Sequence, residues 1–86
     1  MVSKGKLKES MERAGLRPSK FFANRYYRPA LAIDILSSKP LKLMVTIERP
    51  DGKGFNHRTF IPGKDGRDEG TLDRAMVFIQ EKMGDK

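Results

Sequence analysis

The chain has no cysteine, no tryptophan and a single histidine, His57, among its 86 residues. Without cysteine it forms neither a disulfide framework nor a thiolate metal site. One histidine leaves a zinc site or a Ser-His-Asp arrangement short of partners. No apolar run approaches the roughly 18 residues that a membrane span requires. The first ten residues, "MVSKGKLKES", lack the apolar centre of a secretory signal. The expectation is a cytoplasmic protein with no membrane association and no cofactor.

Acidic residues are also scarce, and unevenly so. Met1 to Arg28 carries eight Lys/Arg against two Glu, and Pro29 to Pro62 carries five cations against three acids. Only Gly63 to Lys86 reverses the balance, with five against six, and the whole chain has a formal charge of +7. A basic first third is the electrostatic footprint of a polyanion binder, although small domains also carry charge for solubility. At this length there is room for one small domain with a thin core, which buries about 60% of the unfolded chain's surface.

Hydrophobic spacing divides the chain. Leu7, Met11 and Ala14 suit a weak helix that Ser3 caps, so residues 1–18 read as a basic arm or short helix ahead of a domain over 19–86. Ser19 offers a cap for a second short helix, Lys20 to Tyr27, ending before Pro29. "LKLMVTIE" alternates Leu41, Leu43, Val45 and Ile47 with wetter residues, as a half-buried strand does. "ALAIDIL" (Ala30 to Leu36) reads as its hairpin partner, with a helix starting at Pro29 as the alternative. "FNHRTFI" (Phe55 to Ile61) is a third strand, joined through Asp51-Gly52, a tight-turn dipeptide. Leu72, Ala75, Met76, Ile79 and Met83 form the stripe of a final helix, with Thr71 as its cap and Gly84 closing it. The expected fold is α+β: a three-stranded antiparallel sheet packed against a C-terminal helix.

Two Gly-Lys loops invite a chemical reading. "ERPDGKGF" and "PGKDGRDEG" both lack the leading glycine and the hydroxyl of a phosphate-cradling loop. The first also joins two strands instead of opening a helix. "DGRDEGTLDRAM" places Arg67 and Met76 where a calcium loop needs oxygen ligands. No two carboxylates are spaced to share an apolar pocket, so no enzymatic activity is expected.

Nucleic acid remains the best-fitting partner. "SKFFANRYYR" interleaves Lys20, Arg25 and Arg28 with four aromatic rings, a combination that serves stacking and charge, although Phe22 and Tyr26 also suit a buried helical stripe. Lys42, Thr46, Asn56 and Arg58 are expected on the outward sheet face, with Arg49 and Lys53 at the hairpin end. The strand order, the "PDGKG" turn and the helix "LDRAMVFIQEKM" resemble the DNA-binding domain of plant ethylene-response factors. They also resemble the arm-binding N-terminal domain of phage tyrosine recombinases. The resemblance covers Ala30 to Met83 in pattern and lacks the plant family's tryptophans and its Tyr-Arg-Gly opening. It implies a sheet that enters the DNA major groove, with Lys42, Arg49 and Arg58 at basic strand positions. The expectation is a small non-enzymatic protein, encoded by a phage or mobile element, that binds double-stranded DNA, with RNA as a further partner class. The alternative is an interaction module that docks an acidic protein through exposed Met44 and Phe60 beside Arg58.

Overall fold

The computed structural model describes residues 4–38, 40–64 and 68–83. Helix α1 (Lys4–Arg13) precedes five strands and a closing helix. The strands are β1 (Arg17–Pro18), β2 (Arg25–Arg28), β3 (Leu31–Ser38), β4 (Leu41–Glu48) and β5 (Phe55–Phe60), and helix α2 spans Asp68–Met83. The strands form one antiparallel sheet in sequence order. The α+β class and the C-terminal helix are as expected, but the sheet has five strands where the sequence reading has three. Ser3 and Gly84, assigned to a cap and a helix end, lie outside the described residues.

Of the two additional strands, β1 lies at the end of the segment read as an arm, and β2 comes from the segment read as a helix. Ser19 does act locally as a cap, its Oγ accepting the N–H groups of Phe21 and Phe22 at 3.1 Å each. The chain then reverses at Asn24, whose φ is 60°, and Arg25–Arg28 enters the sheet. Tyrosines suit a pleated surface, and pairing of all four residues with β3 packs Tyr26 against the core. A two-residue turn, Pro29-Ala30, joins β2 to β3. Pro29 pre-sets the first central position, and Ala30 takes the left-handed backbone (φ 68°) that the second requires.

Alternation then decides which side each residue faces. Leu41, Leu43, Val45 and Ile47 of β4 are buried, as their spacing predicts. Leu31 and Ile33 of β3 and Phe60 of β5 join them. Both helices lie on this side: Leu7 and Met11 from α1, and Leu72, Ala75, Phe78 and Ile79 from α2, complete one cluster with Leu16. Burial of each fully enclosed aliphatic residue contributes about 1.5–3 kcal/mol. Thr71 is not the cap of α2. The helix begins at Asp68, so Thr71 lies within it, fully buried, with no partner for its hydroxyl among the described residues.

The β4–β5 hairpin forms where Asp51-Gly52 marks it. Gly52 takes φ 72°, its N–H donates to Arg49 O at 2.9 Å, and Arg49 N–H donates to Gly54 O at 2.8 Å. Asp51 Oδ1 accepts the Lys53 N–H at 2.9 Å, which holds the tip. The first Gly-Lys loop is thus a structured turn.

Candidate functional site

With both helices on one side, the other face of the sheet is left open. Cross-strand register sets its composition. One row runs Arg17, Tyr27, Ala32, Thr46, His57 across all five strands. The neighbouring row runs Arg25, Asp34, Met44, Thr59, and Glu48 opposes Phe55 on the far side. Lys42 is exposed towards the opposite end of the same face.

Aromatic rings on this side are unusually wet. Phe21 is 90% exposed, Phe22 57%, Phe55 55% and Tyr27 46%, so none of these four belongs to the core. That overturns the helical-stripe alternative for Phe22; only Tyr26 of the expected pair packs against the core. Phe55 lies 6.5 Å from the His57 ring, and His57 Nδ1 sits 3.0 Å from Thr46 Oγ1.

Between the rings the surface is low. A concavity of about 350 Å³ is lined by Lys20, Phe21, Phe22, Arg25, Tyr27 and Ala32. A second, of about 300 Å³, is lined by Arg28, Ala30 and Leu31 at the β2–β3 turn and by Ala32, Thr46, Glu48 and Phe55. Both share Ala32, so a shallow trough crosses the sheet, floored by small side chains and walled by Phe22 and Tyr27 at one end and Phe55 at the other. Three strand steps separate Tyr27 on β2 from His57 on β5, a span of about 14 Å across the open face.

The expected site residues divide on this frame. Lys20 and Lys42 lie on the open side, exposed. Arg25 lies there too but is engaged. Its Nε donates to Asp34 Oδ1 at 2.6 Å and its Nη2 to Oδ2 at 3.2 Å, and its guanidinium stacks 4.3 Å from the Phe22 ring centroid. Hydrogen bonding to Asp34, reinforced by its charge, raises the Arg25 pKa above the ordinary value against some desolvation. The pair is locally neutral, so Arg25 positions Phe22 more than it attracts anions. Arg49 and Lys53 sit at the hairpin tip, exposed.

Three expected residues are on the other side. Asn56 opposes buried Ile47, and Arg58 opposes buried Val45, so both face the helices. Burial of Phe60 against Phe78, ring centroids 5.5 Å apart, fixes this phase, and Arg58 two residues earlier must share it. Its guanidinium covers both rings at 5.6 and 5.4 Å. Arg28 turns the same way and donates to Ala14 O at 3.0 Å, tying β2 to the end of α1. The Met44–Phe60 interface anchor does not exist: Met44 is half-buried on the open face, and Phe60 is in the core on the opposite one.

Sequence reasoning missed Tyr27, Phe55 and Arg17 as members of one surface. The signal was present in "RYYR": adjacent tyrosines in a strand face opposite sides, so one of them must be wet. No protein-family model matches the chain, nor does any curated protein or solved structure.

Proposed function

We propose that this chain is a non-enzymatic binder of single-stranded nucleic acid, which it takes up along the trough of its open sheet face. The observation that carries the reading is the grouping of exposed Phe21, Phe22, Tyr27 and Phe55 on the side that also presents Arg17, Lys20 and Lys42. Unpaired bases stack on aromatic faces, and each such contact is worth about 1–3 kcal/mol by alanine substitution. Lysine and arginine at the margins neutralise phosphates. Ala32 and Thr46 leave the space a flat ring needs.

The width of the sheet disfavours a duplex. β2 to β5 alone span about 14 Å, whereas the B-DNA major groove is about 12 Å wide and fits a helix or a two-stranded ribbon. Asn56 and Arg58, the side chains best suited to reading base edges, face away from the open side.

Fluorescence anisotropy with labelled single-stranded RNA and DNA of about 12 nucleotides, and with the matching duplex, tests the proposal. Single strands bind more tightly than duplex, with a log–log salt slope of about −0.7 for each phosphate neutralised. Preference for duplex returns the reading to double-stranded DNA. Absence of binding to all three at about 50 mM salt removes nucleic acid altogether and leaves an acidic protein as the partner.

A further inference from the structure

The ladder bonds fix which backbone groups of β5 point out of the sheet. Arg49 N–H donates to Gly54 O, and the register continues from Glu48–Phe55 to Leu43–Phe60 without a shift. In an antiparallel pair bonded and non-bonded positions alternate. Asn56, Arg58 and Phe60 therefore exchange bonds with β4, while Phe55, His57 and Thr59 direct their N–H and C=O groups outward. The bond from Glu48 N–H to Ala30 O on the other flank of β4 gives the same phase.

The two edges of the sheet differ. β1 has only two residues and includes Pro18, which removes a donor and blunts that edge. β5 has six residues with no proline, lysine or bulge, and five of the six are exposed. A regular strand with three consecutive outward positions is a template for another strand.

We infer that β5 pairs antiparallel with β5 of a second copy of this chain, about a two-fold axis at His57. The inference does not depend on the nucleic-acid reading. In this register Phe55, His57 and Thr59 meet the partner's Thr59, the partner's His57 and the partner's Phe55, three pairs that each exchange two hydrogen bonds. A register centred on Phe55 or Thr59 runs off the strand and loses pairs. On the helix side Asn56 falls opposite the partner's Arg58, an amide against a guanidinium, and no arginine directly faces another. The contact is isologous, as a closed dimer requires. It joins two five-stranded sheets into one of ten strands, with both open faces on the same side.

Salt separates this association from polyanion binding. Each copy carries +7, so repulsion opposes pairing and screening relieves it; binding to a polyanion weakens with salt instead. Sedimentation equilibrium of the full chain without nucleic acid reads the first effect. The weight-average mass rises with concentration from 9.8 kDa towards twice that value, and rises further at about 0.5 M salt. Amide hydrogen exchange reads the site. Phe55, His57 and Thr59 amides slow with protein concentration, whereas those of Asn56, Arg58 and Phe60 are protected throughout. Thr59→Lys places a charge beside the contact, and His57→Pro removes an outward donor that β4 does not use. Both variants stay at the mass of one chain while keeping the circular dichroism of the parent, and Thr59→Lys serves alone if the proline variant does not fold. A constant mass of 9.8 kDa at every concentration overturns the inference. So does a dimer that leaves the three amides unchanged, or one that Thr59→Lys does not weaken.

Discussion

Replacing Thr71 with valine should make this protein more stable, an unusual outcome for a substitution in a core. The side chain is fully buried within α2, and its hydroxyl has no hydrogen-bond partner among the described residues. A hydroxyl taken out of water without compensation costs about 1–3 kcal/mol. Valine keeps the branched shape, exchanges the hydroxyl for a methyl group and has nearly the same helix propensity as threonine. The two side chains are nearly equal in volume, so little packing penalty offsets the gain. A net stabilisation of about 1–2 kcal/mol follows. In a domain of this size each kcal/mol moves Tm by about 4–8 °C, so Thr71→Val should melt roughly 4–16 °C higher. Thermal melts followed by circular dichroism, together with urea titration to separate a change in midpoint from a change in slope, measure this directly. A variant that melts at or below the parent temperature refutes the reasoning and shows that the hydroxyl is bonded.

Further outcomes follow from the trough and the turns. Tyr27→Ala should weaken single-strand binding by about 1–3 kcal/mol with little change in melting temperature, and the anisotropy assay reads it. Ala32→Leu removes neither a ring nor a charge but fills the floor shared by both concavities, so affinity should fall with the fold intact. Equal affinity in that variant would place the ligand elsewhere. Ala30→Gly and Gly52→Ala should shift the urea midpoint in opposite directions. Each position holds a left-handed backbone that costs an L-residue about 1–2 kcal/mol, and no atom of the described residues crowds a Cβ at Gly52.

The strongest local patterns in the sequence carried through to the fold, and the ambiguous ones did not. Leu41, Leu43, Val45 and Ile47 alternate without exception, and that strand and its Asp51-Gly52 hairpin form as read. The final helix also forms, but its start was misplaced because threonine is a good cap in the abstract. Here Thr71 lies on the buried stripe itself, four residues before Ala75. "SKFFANRYYR" is short enough for its rings to fit either period, and only pairing with β3 decides in favour of a strand. Recognising the two-residue turn at Pro29-Ala30 would have aligned Arg25 with Asp34 and shown that this cation is neutralised. The phase of β5 was legible in Phe60, whose burial commits Arg58 and Asn56 to the helix side. Charge counted along the chain gave the character of the surface; its placement needed the sheet.

Amide chemical-shift mapping of the intact protein during titration with single-stranded oligonucleotide tests the open face most directly. The expected perturbations centre on Tyr27, Ala32, Thr46 and Phe55 and fade towards Arg58, Arg74 and Phe78 on the helix side. Shifts confined to the helix side or the hairpin tip, or no shifts at all, would contradict the assignment of the trough as the binding surface.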